Sequence, residues 1–220
     1  MTQIILDIST SLDGFVAGPS PTLEDPLGQN GMQLHEWVFG LATWRSEHGQ
    51  EGGVHDEDDA LVARSLATLG AVVMGRKMFS GGSGPWEDDP NAAGWWGDEP
   101  PFRLPVFVVT HHEREPKSYP NGTVFMFVTE GVESAIEQAR AAADGKDVRI
   151  SGGASVATQA LRAGLLDRLD IHIAPVLLGA GTRLFEGVDP MQFELVETPA
   201  SPNVTHVTYV KPLPRQQGDG

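Results

Sequence analysis

The fold is decided at Val148-Arg-Ile-Ser-Gly-Gly-Ala-Ser155. A buried strand over Asp147–Ile150 ends there, Gly152 and Gly153 turn the backbone, and a helix follows. That helix runs over Ala154–Ala163 and is closed by Gly164 at its C′ position. Glycines let a ligand or another backbone approach closely, and a helix N-terminus attracts phosphate. A tight strand-to-helix connection without any ligand would need the same residues. The fingerprint G-x-G-x-x-G is not present here, and Gly179-Ala-Gly181 opens no convincing helix. A Rossmann domain and a P-loop kinase are both disfavoured.

Outward from this unit, strands and helices alternate. Strands are expected at Gln3–Ser9, Ala71–Gly75, Pro105–Thr110, Thr123–Val128 and Arg168–Pro175. A helix is expected over Asp58–Leu69, where Leu61, Ala63, Leu66 and Leu69 form an apolar face after an acidic first turn. Another stacks Val132, Ala135, Ile136 and Ala139 within Gly131–Ala143, and His35–Arg45 is a further candidate. Met191–Pro199 and Asn203–Lys211 read as a closing hairpin-like pair. These segments define an α/β domain with a mostly parallel sheet of about eight strands and an antiparallel C-terminal pair. Gly and Pro concentrate in Pro19–Gly31 and Ser80–Pro105, long loops of the kind that shape a site. One domain, 1–211, is expected, with a disordered tail over 212–220.

The 220 residues carry 15 Lys plus Arg against 30 Asp plus Glu, a net charge of −15, and no cysteine. Disulfides, thiolate nucleophiles and Cys-ligated zinc are excluded. The acidic excess argues against nucleic-acid and anionic-membrane partners, because phosphate neutralisation needs a basic face. The start, MTQIILDIST, lacks a basic region followed by an apolar one, and the chain is expected to be cytoplasmic. The seven histidines show no ligand-like spacing, so no metal site is expected.

Against this acidic background a few cations stand out. Ala71-Val-Val-Met-Gly-Arg-Lys-Met-Phe79 runs a buried strand into Gly75, Arg76 and Lys77. His111, His112 and Arg114 follow the Pro105–Thr110 strand. Cations at the C-terminal ends of strands lie where α/β sheets bind ligands. Each could be solvated surface charge, but the two clusters and Gly152–Gly153 can converge on one edge.

Four motifs carry a resemblance: Leu12-Asp-Gly-Phe-Val-Ala-Gly18, Val73-Met-Gly-Arg-Lys-Met-Phe79, Ser151-Gly-Gly-Ala-Ser-Val156, and the run from Ala163 to Phe185. In this order they resemble the dihydrofolate reductase-like superfamily, specifically the C-terminal reductase domain of the riboflavin-biosynthesis deaminase–reductase. The likeness implies a three-layer fold with helices on both faces of the sheet. It also implies NADPH along the C-terminal sheet edge, hydride transfer to a small heterocyclic or carbonyl-type substrate (pterin-like or pyrimidine-like), and a homodimer. A non-catalytic nucleotide-binding or ligand-sensing protein is the alternative. The deaminase half needs a Cys-containing zinc signature and cannot be present in a chain without cysteine.

Carried over by resemblance, Arg76 and Lys77 meet the adenosine 2′-phosphate, with Gly75 and Met78 beside the phosphates. Thr110 and His111 flank the adenine. Gly152, Gly153, Ala154 and Ser155 wrap the pyrophosphate, Val156 lines the groove, and Ala17 borders the nicotinamide. The Gly152–Gly153 peptide is expected to be cis. Asp59 falls where dihydrofolate reductases carry their substrate-binding acid, although Asp56-Glu-Asp-Asp59 is also an ordinary acidic helix start. Glu57 and Asp58 could cap that helix, and Asp13 suits an Asp-Gly turn. Trp37 and Trp86 are candidate substrate walls; the Phe79–Pro105 insertion could equally pack onto the sheet or a partner subunit.

Overall fold

The structure is a computed structural model that describes residues 2–212. The expected tail lies outside the described residues apart from Pro212. In chain order the elements are β1 (Ile4–Thr10), β2 (Phe15–Ala17), α1 (Glu36–Phe39), α2 (Ala42–Glu47), α3 (Glu57–Thr68), β3 (Leu69–Gly75), α4 (Arg76–Ser80), β4 (Pro105–Val109) and β5 (Lys117–Ser118). There follow β6 (Val124–Val128), α5 (Val132–Ala142), β7 (Asp147–Gly152), α6 (Ala154–Arg162), β8 (Arg168–Ile173), β9 (Thr182–Arg183), β10 (Glu194–Glu197) and β11 (Thr205–Val210).

Nine strands form one sheet in the order β10-β11-β8-β1-β7-β3-β4-β6-β5. The six from β8 to β6 are parallel; β11 and β10 add antiparallel at one edge and β5 at the other. The sequence accounts for eight of these strands. The two-residue β5, and the small β2–β9 pair, are too short to carry a readable period. The expected His35–Arg45 helix is two short helices, α1 and α2, parted at Gly40 and Leu41.

Strand alternation gives the sheet two unlike faces. On the first, Ile4, Leu6, Ala71, Val73, Phe107, Val148, Ile150, Leu169 and Ile171 build the main core. Helices α5 and α6 cover it with Val132, Ala135, Ile136, Ala139, Val156, Ala157, Ala160 and Leu161. The second face is split. Under α4 and the Phe79–Pro105 insertion, Val72, Met74, Val106, Val108 and Phe125 pack against Phe79, Trp86, Trp96 and Phe102. Under α3 the corresponding positions of β1, β8 and β11 are ionisable or polar: Asp7 aligns with Asp170 and Thr208, and Ser9 with His172 and His206.

That polar floor corrects the apolar face expected of α3. Leu61 and Leu66 are half-exposed, Ala63 is exposed, and Leu69 opens β3. The buried residues of α3 are Asp58 and Asp59. The N-cap is Asp56, whose side chain accepts from the Asp59 amide at 3.0 Å, so neither Glu57 nor Asp58 fills that role.

Candidate cofactor and substrate site

Parallel strands present their C-terminal ends along one edge, and three of the expected glycine-rich segments meet there. A Cβ on Gly75, at the end of β3, would lie 3.1 Å from Val156 Cγ2 and 3.7 Å from the Gly153 nitrogen. One on Gly152, at φ +130°, would lie 3.2 Å from Met78 Sδ. Gly75, Met78, Gly152, Gly153 and Val156 are therefore neighbours, and the Gly152–Gly153 peptide is cis, as expected. Around Gly153 there is open space.

Helix α6 begins at this opening with Gly153 as its N-cap, with no side-chain cap and no acid in its first turn. Helices α3 and α5 each carry acids there instead. An uncapped helix start flanked by glycines leaves N–H groups available for an anion. Ser155 is exposed and Ala154 half-buried beside it.

The cations divide in two. Lys77 and His111 are exposed. Arg76 is 7% exposed: its Nη1 lies 2.5 Å from Asp89 Oδ2 and its plane stacks 3.5 Å over Trp86. Asp89, also buried, is fixed by Ser80 Oγ at 2.7 Å and the Asn91 amide at 2.9 Å. Burial works to raise the Asp89 pKa, but these bonds and the Arg76 charge outweigh it, and the carboxyl stays ionised. Arg114 stacks 4.6 Å from Trp86 and donates to the Ala92 carbonyl. Arg76 and Arg114 thus pin the insertion, and the expectation that Arg76 directly meets a 2′-phosphate is corrected: Trp86 and Asp89 close it off from solvent. Its Nε and Nη2 nevertheless have no hydrogen-bond acceptor among the described residues. Thr110 is buried, with Oγ1 accepting from the His112 amide at 3.2 Å.

Trp86 donates Nε1–H to the His112 carbonyl at 3.0 Å and packs edge-on against Phe79 and Phe127. Trp37 lies elsewhere, over His172 and His206 at 4.9 and 5.1 Å, with Nε1–H donating to Ser9 Oγ at 3.1 Å. Four strand positions separate β1 from β6, about 19 Å at roughly 4.8 Å per strand. The two tryptophans do not share a wall. Trp86 belongs to the packing of the insertion, which settles on the sheet as one of the expected alternatives.

Ala17 ends β2, and β9 presses on it: a Cβ on Gly181 would lie 2.0 Å from the Ala17 carbonyl oxygen. Asp13 is the tether that keeps this arrangement. Its Oδ1 accepts from Ser11 Oγ at 2.6 Å and the Leu178 amide at 3.1 Å, and its Oδ2 from the Gly179 amide at 2.7 Å. These bonds, led by that of Ser11, lower its pKa to about 2. The Asp-Gly turn is present, with Gly14 at φ +82°, but the carboxylate's longer-range role was not legible.

Asp59 is buried at the start of α3. Its Oδ1 accepts the Thr43 amide at 2.7 Å, in the first turn of α2, and its Oδ2 lies 3.0 Å from His55 Nδ1. Burial opposes ionisation, but the bonds to Thr43 and His55 prevail and lower its pKa. This carboxylate is built to accept hydrogen bonds and to brace α2 against α3. Among the described residues no group of three or more acidic or histidine side chains is arranged to hold a metal ion. No helix there is long and apolar enough to cross a membrane.

With this geometry established, comparison places the chain. Residues 2–207 match the family of the RibD C-terminal domain, and the chain belongs to that family. A search of curated proteins found no match. Among solved structures, a putative riboflavin biosynthesis protein from Shewanella sp. PV-4 is similar at 19% identity and TM-score 0.62, over 96% of this chain and all of that one. Acinetobacter baumannii RibD is similar at 16% identity and TM-score 0.58, over 97% of this chain and 59% of that one. A Thermotoga maritima diaminohydroxyphosphoribosylaminopyrimidine deaminase/5-amino-6-(5-phosphoribosylamino)uracil reductase follows at 17% identity and TM-score 0.55, over 96% and 56%. The chain therefore spans little more than half of the last two, and these likenesses share its fold.

Proposed function

We propose that the protein is an NADPH-dependent reductase of a small heterocyclic or carbonyl-type substrate. The observation that carries this reading is the uncapped α6 start, opening at Gly152–Gly153 beside Gly75 and Met78 in a chain of net charge −15. A pyrophosphate fits such a cradle because backbone N–H groups bind it without a basic surface. The cofactor supplies a hydride to an electrophilic carbon of the substrate. Gly152, Gly153, Ala154 and Ser155 would hold its phosphates, Val156 the groove wall, Thr110 and His111 the adenine side, and Ala17 the nicotinamide side. Lys77, exposed on α4, would carry the 2′-phosphate. Trp37 would stand on the substrate side.

The test is titration of the protein with NADPH, followed by nucleotide fluorescence. Saturable binding is expected; none at high micromolar NADPH overturns the reading. Lys77→Ala should weaken NADPH by about tenfold or more and NADH little, as for loss of a charge-assisted hydrogen bond. Equal losses would remove Lys77 from the 2′-phosphate site. One observation favours the non-catalytic alternative: both oxygens of Asp59 are engaged, so it is a poor proton donor. Tight NADPH binding without turnover across a panel of pterin, pyrimidine and carbonyl substrates would select that alternative. A homodimer belongs to the same family reading. It is supported by the apolar groove of Leu161, Leu169, Phe185, Met191 and Phe193 near the exposed edge strand β10, and light scattering tests it.

A further inference from the structure

The polar half of the second sheet face holds four ionisable side chains in a line. Asp58 Oδ1 lies 3.1 Å from His206 Nε2, His206 Nδ1 lies 2.6 Å from His172 Nδ1, and His172 Nε2 lies 3.2 Å from Asp7 Oδ1. Both rings are buried, as is Asp58. Proton positions follow from the network. Each Nε2 faces a carboxylate and must carry hydrogen. Two bare Nδ1 lone pairs repel at 2.6 Å, and so do two N–H groups, so a single hydrogen lies between them. Four ring nitrogens then hold three protons, one more than two neutral imidazoles carry.

We propose that His172 and His206 hold this extra proton jointly, between Asp58 and Asp7, as the positioning element that docks α3 and seats Trp37. The geometry around the pair fits that task. Helix α3 reaches the sheet through Asp58 on His206 and Ser65 Oγ on Asp7 Oδ2 at 3.2 Å, while its leucines stay half-exposed. A cavity of about 250 Å³ beneath α3, lined by Leu61, Ser65, Thr68, Asp170 and both histidines among others, keeps Leu61 from packing closely on the sheet, while Val62 joins the small apolar cluster of Trp37, Leu41 and Val204. Trp37 lies against both rings.

The surrounding charges divide by element. From β1 comes Asp7, and from β7 Arg149, 3.9 Å from it. On β8, Arg168 pairs with Asp170 at 2.8 Å, and Asp170 also accepts from Thr208 of β11. Arg64 of α3, Asp147 of β7 and Glu197 of β10 line the cavity. His35, at the N-cap of α1, is pushed down to about 4 by burial and the charge of His172. Burial and the His172 charge also lower His206, against the pull of Asp58. Burial acts to raise Asp7, but His172, Arg149 and Ser65 together hold its carboxyl well below the usual range. A second proton on the pair would set two N–H groups head-on and open the contact.

The substrate-side meaning of Trp37 rests on the proposed reductase reading; the proton and its docking role do not. Nitrogen-15-edited NMR of the intact protein at neutral pH is expected to show a low-field, exchange-protected imidazole N–H absent from His172→Gln and His206→Gln. Wild-type ring nitrogen shifts showing two neutral imidazoles would overturn the proposal, and that measurement needs no variant to fold. Protection factors of the Glu57–Thr68 amides, that is exchange corrected for its intrinsic pH dependence, should fall at least tenfold as pH is lowered through the range in which the second proton binds. In the double variant His172→Gln/His206→Gln this pH dependence should vanish. Protection factors independent of pH in the wild type would also overturn the proposal. Failure of NADPH to bind would sink the reductase reading and leave these outcomes untouched.

Discussion

The two halves of the second sheet face carry opposite chemistry. Under the insertion, Phe79 meets Phe125, Phe127, Trp86 and Trp96 at ring separations of 5.0 to 6.3 Å, and Arg76 enters with Asp89 beside it. Under α3, carboxylates and imidazoles replace rings, and a cavity remains. The aromatic half gains stability from dispersion and excluded water. The polar half gains directionality, since each hydrogen bond has one geometry and one protonation state.

Truncations should expose that contrast. Phe79→Ala, at a fully buried position, is expected to cost about 3–5 kcal/mol by chemical denaturation. A cost under about 1 kcal/mol would mean that the insertion does not pack as described. Asp59→Asn should cost about 1–2 kcal/mol by weakening the hold on the α2 start. Turnover, corrected for folded fraction, should be retained; a loss of about 10²-fold or more would restore Asp59 as the catalytic acid. Leu61→Ala, on the half-exposed side of α3, should cost no more than about 1 kcal/mol, because the cavity below it already lacks contacts.

The mildest effect concerns pH and belongs to the polar half alone. His35 and His206 have lowered pKa values in the folded state, so the unfolded chain binds protons that the folded chain refuses. Stability is therefore expected to fall as pH drops from 6.5, the ordinary histidine value, towards about 4, where His35 titrates. Asp7 and Asp59, also lowered, extend the loss below the carboxylate range. Thermal midpoints measured from pH 7 to pH 4 check this. A flat profile would break the assignment of proton-sensitive packing to the α3 half.

Legibility followed the physics of each element. The strand ending at Gly152, the helices α5 and α6, and the convergence of Gly75 with Gly152–Gly153 rest on apolar period and glycine placement, which are local. The polar alternation of Arg168, Asp170 and His172 with Leu169, Ile171 and Ile173 also stands in the sequence, and it is the signal that could have marked the second face. It does not say what covers that face. Helix α3 therefore reads as apolar-docked when it meets the sheet through Asp58 and Ser65. Arg76 reads as a free cation because Asp89, thirteen positions on, becomes its partner only through the path of the insertion.

The sequence by itself determined an α/β domain with a parallel centre, the strand–Gly–Gly–helix unit, and the net charge of −15. The tertiary structure alone decided which cations stay free, that Trp37 and Trp86 stand apart, and that two histidines 34 residues apart in the chain meet at 2.6 Å. The reason is physical. Periodicity and backbone freedom are properties of neighbouring residues, whereas the charge state and availability of a side chain depend on partners that only chain folding brings within reach.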